Sequence, residues 1–326
     1  EQEFGAVVAI GLSLLWSSRG YLREVWRAVR DEGRGIRDEE REAVSYRAAF
    51  LGAAGGALFL IAFSMLAGMS LGWALLFFAI YFLIILVVTR IRAELGPPVH
   101  DFHLIGPDHV MIEAFGSRAF GGGDLGMIGL YWWFNRAYRG LPMPHGMEGL
   151  KMADRTQTRQ REVFIGAILA GALGMLASMG AFIHLGYQLG AAAKFSSGYG
   201  YGWDVYNRMN QWVTAPAPGQ PAAVAGMGTG FLITLLLIGL RSRFFGWPFH
   251  PIGYAISGSW SMNLVWLPLL IAWLAKLTVL RYGGLRLYRA ALPFFLGLIL
   301  GDVTMGTLWS LIGLVLGTPT YNFWGA

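Results

Sequence analysis

The sequence predicts an all-α fold: a polytopic transmembrane helix bundle of about seven or eight spans with a re-entrant or interfacial helical hairpin. Three observations carry that prediction. Of 326 residues, 55% are hydrophobic and 13% charged, and the mean hydropathy of +0.50 lies above the range of soluble domains. Apolar runs recur at about the 20-residue length that a helix needs to cross the hydrocarbon core. Thirteen Trp, 13 Tyr and 46 Gly suit a bilayer, where aromatic rings favour the interface and glycine lets helix backbones approach closely.

The first apolar run, 4–17, is shorter than a full span. It follows the acidic start "EQEFG", which has no initiator Met and no signal-peptide character, so the chain reads as beginning inside a larger protein. The stretch 23–47 mixes both signs of charge and reads as a solvated cytoplasmic connection whose basic half touches anionic lipid heads. Spans are then expected at 48–68, 70–90, 163–187, 222–241 and 288–316, with a compressed pair in 244–280. One member of that pair reads as a half-helix around "HPIGYAISGS". Two crossings there keep Lys276, Arg281, Arg286 and Arg289 on the cytoplasmic side. Small residues four apart (Gly52 and Gly56, Gly226 and Gly230, Gly313 and Gly317, and the stripe Gly166, Ala170, Gly174, Ser178) mark faces suited to close helix packing.

Orientation follows from the basic residues. Eight of the 25 Lys and Arg fall in 18–47, nine in 90–161 and two, Lys194 and Arg208, in 188–221. By the positive-inside rule 18–47 is a cytoplasmic linker, 90–161 a cytoplasmic or re-entrant segment and 188–221 an external loop of a single transmembrane domain covering 1–326. A formal charge of +6 distributed in this way points to a membrane and away from nucleic acid. The absence of cysteine excludes disulfides and thiolate metal sites.

Within 90–161, Arg90 and Glu94 stand one helical turn apart, Gly96 is placed as a C-cap, and Pro97 and Pro98 forbid continuation. Two semi-apolar pieces follow, 102–117 and 123–136, joined by "SRAFGGGD". Each is too short to cross and too apolar for a free loop, so they form a hairpin that enters from the cytoplasmic face and returns. The hairpin gathers His100, Asp101, His103, Asp108, His109 and Glu113. Their spacing matches no metal-ligand signature, and no metal or other cofactor is expected. His184 and His250 read as interfacial. No phosphate loop, serine elbow or paired-His protease motif is present, so an enzyme is not expected.

The last span carries one acid, Asp302, near its middle, flanked by Gly301 and Gly306. A carboxylate at the bilayer centre costs at least about 2.5 kcal/mol, so it is expected to face the bundle interior or water as a proton-coupling group. Asn263 is its candidate polar neighbour. Glu94, His103, Asp108, His109 and Glu113 are the candidate cavity residues of the hairpin.

The runs "VVTRIRAELGPPVHDFH", "WWFNRAYRGLPMPHGMEGLKMAD", "WPFHPIGYAISGSWSMNLVW" and "LRYGGLRLYRAALPFFLGLILGDVTMGTLW" resemble the C-terminal half of a family of uncharacterised prokaryotic membrane proteins, distantly related to the oligopeptide transporter superfamily. That resemblance implies a bacterial or archaeal cytoplasmic (inner) membrane location and a missing set of upstream spans or other membrane subunits as partners. It also implies proton-coupled movement of a small organic solute such as a peptide or metal chelate. The competing expectation is a non-transporting scaffold or anchoring subunit of a larger complex.

Overall fold

The computed structural model describes residues 1–30, 42–96, 102, 103, 105–191, 196–318 and 320. His100 and Asp101 of the hairpin, with Pro97 and Pro98, lie outside the described residues. In chain order the helices are α1 (Gln2–Ser17), α2 (Arg19–Arg30), α3 (Tyr46–Leu66), α4 (Leu71–Leu95), α5 (Pro107–Phe115), α6 (Gly122–Leu130), α7 (Trp132–Asn135), α8 (Pro142–Thr156), α9 (Gln160–Leu189), α10 (Ser196–Thr214), α11 (Pro221–Arg243), α12 (Pro251–Ile256) and α13 (Trp260–Leu316). The described residues contain no strand. Among them α3, α4, α9, α11 and α13 are long and apolar enough to cross a membrane.

The boundaries follow local chemistry. Ser45 caps α3, its hydroxyl accepting from the Ala48 N–H at 3.3 Å. Gly96, at φ 57, ends α4 in the left-handed conformation expected of its C-cap, with its N–H on the Arg92 carbonyl. Arg90 and Glu94 pair at 2.9 Å along the last turn of α4. Prolines open α5, α8, α11 and α12 at the position where a missing N–H is harmless. The stretch read as a solvated linker instead begins with α2, and the expected external loop 188–221 holds α10. The expected pair in 244–280 resolves into the six-residue α12 and the start of one long helix, α13.

The chain divides into two units, Glu1–Asn263 and Leu264–Ala326. In the second, α13 breaks at Gly284 (φ 58, ψ −163), where no side chain blocks the conformation. Lys276 stands 5.7 Å from the Tyr288 ring across that break.

In the first unit α1, α4 and α11 run in the same direction. Glu1 meets Gly226, Gln2 meets Gly230 and Gly5 meets Met227, while Gly11 packs on Leu83 and Val87 of α4. The α1–α11 seam is backbone on backbone: a Cβ built on Gly5 would overlap the Met227 carbonyl, and one on Gly230 would overlap the Gln2 carbonyl. Glycine thus sets the helix spacing here, and the Gly226/Gly230 stripe is in use. The stripe on α9 is open instead, with nothing near Gly166 or Gly174 and no buried residue in the helix. The core around α1 and α4 is Ala6, Val7, Ile10, Ile84, Val87 and Ile91, joined by Phe102, Ile105 and Tyr138 from the segment after α4.

A leucine at Gly230 should therefore lower stability by about 3 kcal/mol through overpacking. Gly228→Ala, two residues away on the opposite face of α11 with nothing within 4 Å, should be neutral or stabilising by less than about 1 kcal/mol. Thermal unfolding of the two variants in detergent checks the pair.

Candidate functional site

The segment 102–138 forms a hairpin laid along α4. At its base His103 bridges to Ala137 in antiparallel fashion, and Phe102, Ile105 and Tyr138 pack with Val87, Val88 and Ile91 in the C-terminal half of α4. At its tip the Asp124 carboxylate accepts from the Ser70 N–H at 2.7 Å, the Ser70 hydroxyl at 3.1 Å and the Gly121 N–H at 3.1 Å, so the tip is pinned to the residue that opens α4. Trp73 packs on Phe115 and Phe120 at 5.2 and 4.4 Å. The hairpin thus follows α4 from one end to the other and comes back.

The tip also holds the start of α11. The Ser117 hydroxyl accepts from the Ala217 N–H at 3.0 Å, the Arg118 guanidinium donates to the Pro216 carbonyl at 2.9 Å, and the Glu113 carbonyl accepts from the Gln220 N–H at 2.8 Å. Gly116 and Gly219 touch through their backbones with no room for a Cβ on either. On the return arm α10 lies across α6, with Met209 and Trp212 over Gly129.

Midway along the hairpin a polar cluster is closed in by these elements. Asp108, in the first turn of α5 and 2% exposed, pairs with the Arg208 guanidinium of α10 at 3.1 Å. Arg208 in turn lies 5.5 Å over the Trp132 ring and 5.4 Å over that of Trp212, a cation held between two indoles. Asn135, fully buried, offers an amide oxygen and nitrogen with no hydrogen-bond partner among the described residues. Gly106 seats it, since a Cβ there would meet Asp108 Oδ1 and the backbone and side-chain oxygens of Asn135. The Asp108 carboxylate also accepts from the His109 backbone N–H. Tyr138, also fully buried, lies near Asp108 and 6.2 Å from the Tyr81 ring of α4.

A second polar group stands where α1, α4 and α11 end. His250 Nδ1 accepts from the Ile252 N–H at 3.1 Å and its Nε2 lies 3.2 Å from Glu94 without hydrogen-bond geometry, while Glu94 accepts from Arg90 at 2.9 Å. With Ser13, Ser17 and Arg241 they line a cavity of about 330 Å³.

The structure therefore separates the residues singled out from the sequence. Asp108 is central, and His109 contributes through its backbone. His103 is half-buried, its ring 5.2 Å from that of Trp260 and tilted by 57° at the hairpin base, Glu113 contributes its carbonyl at the tip, and Glu94 belongs to the second group. Asn263 is exposed, and Asp302 is exposed on α13. Among the described residues no three of His, Asp and Glu converge. Sequence reasoning missed Arg208, Asn135, Tyr138 and the two indoles. The available signal for Arg208 was its isolation: it is one of two cations in 188–221, set in the aromatic stretch "YNRMNQW".

Removing one member of a buried ion pair strands the other, so Arg208→Met should cost about 3 kcal/mol, whereas Asp108→Leu combined with Arg208→Met should recover most of that loss. Thermal unfolding of the single and double variants measures it.

No curated protein and no solved structure matches the chain. The family model for DUF6785, a family of unknown function, matches residues 1–325, and the chain belongs to that family.

Proposed function

We propose that the protein is the membrane domain of a secondary transporter that moves a small polar organic solute with protons. The observation that carries this reading is the hairpin of short, broken helices that brings a buried acid, an arginine and an amide with unused hydrogen-bonding capacity to the middle of a long apolar helix. Non-helical backbone at membrane depth is tolerated against protein or a water-filled cavity, and transporters place their solute sites at such breaks. In this reading 102–136 enters the bilayer from the cytoplasmic face and returns, with the glycine turn deepest. Asp108 is the coupling carboxylate: proton uptake releases Arg208, and the freed guanidinium and the Asn135 amide receive the solute. The kinship with oligopeptide transporters belongs to the same proposal, as do peptides and metal chelates as the solute class and the bacterial or archaeal inner membrane as location.

One observation favours the scaffold instead. Asp108 and Asp124 are both sealed by packing, as a structural role requires. The two readings part in proteoliposomes containing the full-length protein and an internal pH dye. Transport predicts proton entry on addition of di- and tripeptides or their metal chelates, lost in Asp108→Asn. Proton entry that is absent for every solute, or unchanged in Asp108→Asn, would overturn the assignment and leave the scaffold.

The orientation has its own check. The chain has no cysteine, so single cysteines at Ser18, Arg155 and Ser197 can be labelled with an impermeant reagent in intact cells. The expected pattern is labelling at Ser197 alone; labelling of the other two without it reverses the topology.

A further inference from the structure

α2 begins one residue after α1 ends and packs on the first turns of α3, with Trp26 5.2 Å from Phe50 and the Tyr21 hydroxyl 3.3 Å from that of Tyr46. It therefore sits where two apolar helices terminate, at the level at which a bilayer changes from hydrocarbon to headgroups. At 3.6 residues per turn, Arg19, Arg23, Arg27 and Arg30 project within an arc of about 80°. Tyr21, Leu22, Val25, Trp26 and Val29 fall in a separate arc of about 140°. The only acid of the helix, Glu24, borders the arginine arc.

The described residues do not cover the apolar arc. Val25 and Val29 are half-buried against α3, but Tyr21, Leu22 and Trp26 remain 54%, 47% and 53% exposed. Arg19 rests 4.2 Å over the Trp16 ring at the end of α1, which orients the first guanidinium at the rim. Arg23, Arg27 and Arg30 meet no carboxylate among the described residues. A helix with one cationic face and one uncovered aromatic and aliphatic face is matched by the boundary of an anionic bilayer: rings and aliphatic side chains enter the acyl region while arginines meet lipid phosphates.

We infer that α2 lies in the plane of the membrane surface and binds anionic phospholipid through Arg19, Arg23, Arg27 and Arg30. The arginines form charge-assisted hydrogen bonds to phosphate oxygens, and the apolar arc fixes the depth. The site makes the packing of α1 and α3 around it sensitive to lipid charge, whether or not the protein transports a solute.

The test uses the full-length protein in nanodiscs of phosphatidylcholine with or without phosphatidylglycerol. Spin labels are placed on single cysteines, one at Leu22 and one at Arg27. In mixed lipid the Leu22 label should be relaxed by oxygen and shielded from an aqueous nickel chelate, and the Arg27 label should show the reverse. Native mass spectrometry should find phosphatidylglycerol enriched on the protein, and Arg23→Gln/Arg27→Gln/Arg30→Gln should reduce that enrichment by at least about tenfold while leaving the melting temperature in detergent unchanged. Equal exposure of both labels to the nickel chelate would make α2 a solvated connection. Shielding of the Leu22 label from both relaxants would mean that protein covers this face. Lipid selectivity unaltered in the triple variant would mean that the arginines pair elsewhere. Each of those outcomes overturns the inference.

Discussion

The attachment of the 102–138 hairpin to α4 is the constraint on which the remaining architecture of the first unit rests. Asp124 makes it specific: one carboxylate collects two donors from Ser70 and one from Gly121, so the tip has a single register against the helix. Once the tip is fixed, Ser117, Arg118 and the Glu113 carbonyl fix the approach to α11, and the same glycine-lined turn admits the 216–219 backbone. With the base held by Phe102, Ile105 and Tyr138, the stretch between has little freedom, and Asp108 is presented to Arg208 by default.

That arrangement stores an electrostatic choice. A buried acid–arginine pair contributes little net stability, because desolvation of the two charges offsets most of their attraction. Its geometry is also costly to lose, since Asp108 alone would be a charge sealed from water, whereas Arg208 keeps partial access to solvent. Between two indoles the guanidinium keeps part of its stabilisation when the carboxyl is neutral, so the protonated state of Asp108 is less penalised here than in a plain hydrocarbon pocket. The unused hydrogen-bonding capacity of Asn135 lies beside the pair and not at random in the core. A polar ligand arriving there would meet groups that are already positioned.

Much of this was legible in the chain and some was not, for physical reasons. The end of α4 was readable because its determinants are local: Arg90 and Glu94 a turn apart, Gly96, then prolines. The hairpin was readable from the length of its two apolar pieces. Arg208 was not, because nothing near it in sequence announces that it crosses to Asp108; a pair so distant along the chain is specified by α6 and α10 packing. That 19–30 is helical was not read, because charge was judged over 23–47 as a whole, where signs mix, and not by angle over 19–30, where they separate. The α9 stripe is conspicuous by composition, yet small residues state what can approach and not what does.

The parallel course of α1 and α11 has a kinetic consequence. Neighbouring parallel helices need a long excursion of chain between them, and here the excursion includes the whole hairpin and α9. During synthesis, α1 emerges long before the glycine face of α11 on which it packs. The seam between them cannot form until α11 is made. Contacts of such sequence separation slow assembly and leave a window in which chaperones or competing helices gain access.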